Sequence, residues 1–220
     1  MFKFETRLVL NLTARLYLKQ NVQVGWIIVN SKEEIIRKAS IQVFAREGYY
    51  RATTDRIAEE AGVAVGTIYN YFKNKSDILN SIFQEEYQKR KAIFEKLKEK
   101  DISPTEKIRQ IIEKHFEEVK EQPELIKIIL EERQHSCSAF RNRAGLRKFI
   151  EDFINEGVKK GVLRDADAEI LAMILFGAIE SVMREHLAEE SLQTKDRGDV
   201  FDRSLQEIMY LLQHGLVVEK

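Results

Sequence analysis

The chain has 220 residues, enough for one large domain or two modest ones. Its 36 basic residues balance 36 acidic ones, which excludes a protein that coats nucleic acid by bulk charge; any DNA contact must come from a local face. With 33% charged residues, two prolines and ten glycines it favours long helices over sheets. The single cysteine, Cys137, excludes an internal disulfide framework and fits a reducing cytoplasm. No apolar run approaches the ~20 residues that span a bilayer.

Residues 1–30 carry Lys3, Arg7, Arg15 and Lys19 against one acid, Glu5. Charges interrupt every apolar run there, so a signal peptide does not fit. Three readings stay open for this extension: a basic arm that touches DNA, a short packing helix, or translation from a start codon set too early. Order is expected from Ser31, where Ser31 and Glu34 form a capping box. Ile35, Ile36, Ala39, Val43 and Phe44 follow as a helical stripe that stops near Gly48.

The next stretch, Thr53 to Lys75, predicts two short helices joined by a tight turn at Gly62. Thr53 or Thr54 can cap the first, and Ile57, Ala58 and Ala61 face inward. Ile68 and Phe72 give the second its buried side. No acidic residue occurs from Ala61 to Ser76, which suits a helix lying against phosphates. Asn74 then caps a helix carrying Ile78, Leu79, Ile82, Phe83 and Tyr87 to about Lys100, with Gln88–Lys100 expected as a solvated, charged rod.

Asp101–Pro104 is the clearest break, followed by a second capping box at Ser103 and Glu106 with proline at the first helical position. Ile108, Ile111, Ile112, Phe116 and Val119 share one face up to Gln122-Pro123. Leu125, Ile126, Ile128, Ile129 and Leu130 form the next helix, and another runs from near Ser138 to Gly157. Gly161 closes a loop, Asp165 is expected to cap a helix through Val182, and the last helix spans Phe201 to Leu212. The pattern is all-α, with no strand signal and no internal repeat.

The residues Thr54, Ile57-Ala58, Ala61-Gly62-Val63, Gly66-Thr67, Tyr69, Tyr71-Phe72 and Lys75 resemble the helix-turn-helix of the tetracycline-repressor (TetR) family of bacterial transcription factors. The resemblance implies a DNA-binding domain over 31–76 and a ligand-binding and dimerisation domain over 77–220. It also implies that the second helix of the motif enters the major groove. Together with the acid-free face it nominates Arg51, Thr53, Thr54, Val65, Gly66, Thr67, Tyr69, Asn70, Tyr71 and Lys75 as DNA contacts, Lys75 reaching a backbone phosphate.

The family dimerises through its last two helices. That implies a self-facing surface around Ile174, Ala178 and Val182 and around Leu205, Ile208 and Leu212. A dimer reads palindromic operators whose half-sites lie roughly 34–36 Å apart. Between linker and dimer helices lie Phe116, Phe140, Phe149, Phe153 and Phe176, either a packed core or, as the family implies, a small-molecule pocket.

Within the family the chain is similar to regulators of fatty-acid degradation of the Gram-positive FadR type. The similarity runs through Gly66–Leu79, Lys114-His115-Phe116, Leu130–Gln134, Glu156-Gly157 and Ile174–Glu180, and the chain departs from that group between Arg133 and Gly157. It implies a repressor released from DNA by long-chain acyl-CoA, which enters between helices that include the one bearing Arg133. Beside the aromatic run Arg141, Arg143, Arg147 and Lys148 form a basic cluster that suits the phosphates of a CoA head; solvated helix charges explain that cluster as well. A multidrug-sensing repressor of an efflux gene, using Glu131, Glu132 and Glu180, and a DNA-binding dimer without ligand stay open. No Gly-rich phosphate loop or nucleophile elbow is present, so no enzyme and no cofactor are expected. Glu132-x-x-His135 has half a di-metal spacing but no second copy, so no metal is expected. A cytoplasmic location, on the nucleoid when DNA is bound, completes the expectation.

Overall fold

The structure is a computed structural model that describes residues 32–131, 137–192 and 200–216. Among these residues the chain is all-α, without a strand. The helices are α1 (residues 32–47), α2 (Thr54–Ala61), α3 (Val65–Tyr69), α4 (Lys75–Glu99), α5 (Pro104–Glu121), α6 (Pro123–Glu131), α7 (Cys137–Lys159), α8 (Ala168–Leu192) and α9 (Val200–Leu216). The extension 1–30, the Ser31 cap and the Glu132–His135 segment lie outside the described residues.

Side-chain caps set the starts of α2, α4 and α5. The Thr53 hydroxyl accepts from Arg56 N–H at 3.3 Å, Asn74 Oδ1 from Asp77 N–H at 2.9 Å, and Ser103 Oγ from Glu106 N–H at 3.1 Å. Each satisfies a donor that a helix start leaves unpaired. Gly62 ends α2 in the left-handed region, φ 64°, where a Cβ would be strained.

Four boundaries or faces differ from the sequence expectation. α3 stops at Tyr69, because Tyr71 and Phe72 N–H both bond to the Ile68 carbonyl and tighten the chain into a turn. α8 is capped by Asp167, whose Oδ1 accepts from Ile170 N–H at 3.1 Å, and not by Asp165. α9 continues through Gly215 to Leu216. The charged end of α4 is not a solvated rod: Arg90, Phe94 and Leu97 are buried, and this half of α4 packs on α7.

Two hydrophobic cores result. The first joins α1, α2, α3 and the start of α4 through Ile36, Phe44, Ile57, Ile68, Phe72, Ile78 and Phe83, and it takes in Leu125 and Ile128 from α6. The second fills α4, α5, α7, α8 and α9 around Phe94, Ile112, Phe116, Phe153 and Phe201. Ile129 packs against both. α6 is therefore held between the head and the body, and Lys127 Nζ adds a bond to the Ala45 carbonyl near the end of α1 at 3.1 Å.

Candidate functional site

The first site is the surface built by α2 and α3. Arg51, Thr53, Gly66, Tyr69 and Asn70 are exposed, and Thr54, Val65, Thr67 and Tyr71 are half-buried around them. The Thr54 and Tyr69 hydroxyls meet at 3.2 Å, so the two helices present their polar tips as one unit. Arg51 Nε donates to the Glu47 carbonyl at 2.8 Å, which anchors its stem at the end of α1. A Cβ built on Gly66 would meet nothing within 4 Å, and its φ is ordinary. Neither packing nor backbone conformation asks for glycine there.

Lys75 departs from expectation. Its ammonium donates to the carbonyls of Tyr49, Tyr50 and Ala52 at 2.5, 3.2 and 2.8 Å, and it sits 4.5 Å from the centre of the Tyr49 ring. Three donors on three carbonyls exhaust an ammonium group. Lys75 thus fixes the loop between α1 and α2, with its ammonium turned onto that loop. Two residues that the sequence reading did not select flank the same face. Tyr50 is 74% exposed, and Lys73 is exposed with no ion pair among the described residues. Lys73 was available as a signal, since it stands inside the acid-free run.

The second site is a cavity of about 90 Å³ inside the body. α4 contributes Phe83, Glu86, Tyr87, Arg90 and Phe94; α5 gives Ile111 and His115; α6 gives Ile129 and Leu130; α7 and α8 close it with Arg143, Leu146, Ile150, Phe176, Ile179, Glu180 and Met183. Of the predicted ligand residues whose side chains the structure describes, Phe176 lines it, and so does Arg143 of the basic cluster. Phe116 stacks on Phe201 at 4.5 Å, Phe149 on Phe94 at 4.8 Å, and Phe153 is fully buried, so these three are core. Arg147 does not line the cavity. Arg133, and the side chains of Phe140 and Arg141, lie outside what the structure describes.

What the sequence did not reveal is the buried charge. Arg90 reaches Glu86 at 3.4 Å and Glu118 at 3.0 Å, all three largely shielded from solvent. Arg143 holds Glu180 with two bonds, 2.8 and 2.9 Å, and stacks 5.2 Å from the Phe176 ring. Burial raises the Glu118 carboxyl above its ordinary range, against the pull of Arg90. Burial, helped by the Arg90 charge, pushes His115 down to about 3. His115 keeps some accessible surface and lines the cavity. Gly145 lets α7 approach α4 here: a Cβ on it would stand 2.9 Å from the Tyr87 hydroxyl.

The predicted dimer residues divide. On α8, Ile174 is 59% exposed, and Ala178 and Val182 are half-buried. On α9, Ile208 (9% exposed) and Leu212 (3%) belong to the protomer's own core, with Leu205 packed beside them. Ile208 and Leu212 turn into their own protomer, while Tyr210 and Leu211 on the opposite side are exposed. With Ile170 and Met173 they form the bare apolar surface of the last two helices.

A three-helix head with a helix-turn-helix, joined to a helical body, is the architecture of a bacterial transcription regulator. The chain matches the bacterial regulatory proteins of the tetR family over residues 36–82 and the tetracyclin repressor-like C-terminal domain over 101–184. It belongs to the TetR family, whose members here are transcriptional regulators and not enzymes. It is 32% identical over 152 residues to the fatty acid metabolism regulator protein of Bacillus subtilis strain 168, covering 66% of this chain and 78% of that one. Among solved structures it is similar to the fatty acid degradation regulator FadR of Bacillus halodurans, with 27% identity and a TM-score of 0.72 over 82% of this chain and 94% of that one. It is also similar to FadR of Bacillus subtilis in complex with stearoyl-CoA, with 28% identity and a TM-score of 0.69 over 81% and 96% of the two chains. No described helix is long and apolar enough to cross a membrane.

Proposed function

We propose that the chain is a homodimeric repressor that binds palindromic operator DNA in the cytoplasm and is released by a long-chain acyl-CoA, in control of fatty-acid degradation. The observation that carries the ligand-controlled part is the place of Phe83 and Ile129. Phe83 is a core residue of the head and also a wall residue of the cavity. Ile129 packs against both cores and lines the same cavity. A ligand that parts the cavity walls therefore displaces side chains on which the head is built.

The size of the cavity gives the direction of the effect. At about 90 Å³ it lies below the roughly 300–1,000 Å³ of sites that hold drug-sized ligands. A long acyl chain binds only an expanded arrangement, and a ligand shifts an equilibrium by its preference for one state. In the expanded state the two recognition helices of the dimer are mis-spaced for an operator. A typical coupling of about 1–3 kcal/mol weakens DNA affinity some 5- to 150-fold.

The cationic-drug reading would need carboxylates to meet the cation. Glu86 and Glu180 do line the cavity beside aromatic rings, but each is already paired with an arginine. The test is a DNA-binding titration on the region upstream of the chain's own gene, with stearoyl-CoA, free CoA, stearate and a cationic dye. Release by stearoyl-CoA alone supports the reading. Release by the dye alone moves it to drug sensing, and no retention of DNA at low salt removes it altogether.

A further inference from the structure

One residue of the cavity wall has a ring nitrogen with no hydrogen-bond partner among the described residues. His115 stands one turn after Ile111 on α5, and its Nδ1 lies 3.0 Å from the Ile111 carbonyl oxygen. A carbonyl only accepts, so Nδ1 carries the proton of that bond. The ring is neutral at physiological pH, since burial and Arg90 push it down to about 3. A neutral imidazole protonated at Nδ1 keeps a lone pair on Nε2 and only accepts there. His115 makes no other hydrogen bond among the described residues, and its ring lines the cavity.

The cations of the same wall are committed. Arg90 is shared between Glu86 and Glu118, and Arg143 is held by Glu180 through two bonds. A carboxylate buried here would have to break one of these pairs. A wholly apolar chain would cover Nε2 and leave an acceptor unsatisfied in a medium of low dielectric, which opposes its binding. The group that suits this wall is a neutral hydrogen-bond donor on an otherwise apolar ligand.

We propose that His115 sets ligand specificity by accepting, at Nε2, a hydrogen bond from an O–H or N–H of the bound ligand. The inference rests on the acyl-CoA reading and names a requirement within it. Two parts of such a ligand carry a donor: a hydroxyl on the acyl chain, or an amide N–H of the CoA arm. In the first case the cavity prefers a hydroxylated chain to a plain one of equal length. In the second it contributes equally to every CoA thioester.

The experiment measures binding of palmitoyl-CoA and of hydroxypalmitoyl-CoAs, with the hydroxyl beside the thioester, at mid-chain or at the chain end, to the full chain and to His115→Leu and His115→Gln. If the chain hydroxyl is the donor, one hydroxylated ligand binds the unmutated protein about tenfold tighter than palmitoyl-CoA. His115→Leu erases that preference, and His115→Gln, which keeps an acceptor oxygen, restores part of it. If the amide is the donor, His115→Leu weakens all thioesters by one factor and His115→Gln again restores part. Should the leucine variant fail to fold, His115→Phe fills the ring volume without the acceptor. Thioester binding that ignores these substitutions, or that glutamine does not rescue, overturns the inference alone. Failure of the unmutated protein to bind any thioester overturns the acyl-CoA reading and this inference with it.

Discussion

Arg143 of α7 and Glu180 of α8 face each other across the cavity wall in a two-pronged ion pair, 2.8 and 2.9 Å long. Glu180 is the more buried partner, with 15% of its side-chain surface exposed against 38% for Arg143. Replacing Glu180 by glutamine releases a guanidinium beside an apolar space. Free palmitate, which the paired wall disfavours, should then bind about tenfold better, while the fold loses about 1–3 kcal/mol. Isothermal titration with palmitate and a thermal melt check both halves; unchanged palmitate affinity would show that the pair does not guard the cavity.

Lys75 and Lys73 should separate in their salt dependence. Lys75 spends its ammonium on three backbone carbonyls, so Lys75→Met should lower the melting temperature and weaken binding to all DNA without changing the salt slope. Lys73→Met should leave the melt unchanged and lower the slope of log K against log salt by about one unit, as loss of one phosphate contact does. DNA-binding isotherms at several salt concentrations decide, and a slope change confined to Lys75 would return it to the phosphate role.

The two sides of α9 should respond in opposite ways. Leu211 is 67% exposed, and Leu211→Glu should place like charges at a two-fold surface and yield a folded monomer. Leu212 is buried in its own protomer, and Leu212→Ala should cost about 2–5 kcal/mol of stability without touching assembly once folded. Light scattering and denaturant titration on the two variants tell the surfaces apart.

His115 also predicts an acid limb. Its folded-state pKa of about 3 lies below the ordinary 6.5, so between those values the unfolded chain binds more protons than the folded one. The stability it contributes is complete above about pH 6.5 and is lost toward pH 3, at up to ~1.4 kcal/mol per unit. Glu118, raised by burial, acts the other way above its ordinary value, and Glu106, lowered to about 2 by Arg109, adds a loss only below about 4.5. Comparing the chain with His115→Leu between pH 6.5 and 4.5 isolates the share that belongs to His115. His115→Leu should flatten the denaturant-midpoint curve there, and an unchanged slope would refute a neutral, shielded ring.

Much of this architecture was readable from local chemistry. Thr53, Asn74 and Ser103 cap the helices they were expected to cap, because a cap depends on residues three apart. The misplaced Asp165 shows the limit: Asp167 offers the same side chain two positions on, and only the geometry of the loop chooses between them. The inner face of α4 was hidden by its charges. Arg90 is buried because Glu118 meets it from another helix, and no pattern within α4 announces a partner 28 residues away. The cavity was misassigned for a related reason. Phe116, Phe149 and Phe153 carry the aromatic signal, but aromatic rings fill space, and the open space lies where Glu86, Arg90, Arg143 and Glu180 pair instead.

The insertion of α6 into the head bears on how the protein unfolds. Leu125 and Ile128 close a core whose other members come from residues 36–83. A fragment cut after α4 would lack both plugs and expose the apolar floor they cover. Head and body should therefore melt in one cooperative transition, and the DNA-reading head cut away from its sensor should be less stable than it is in the whole chain.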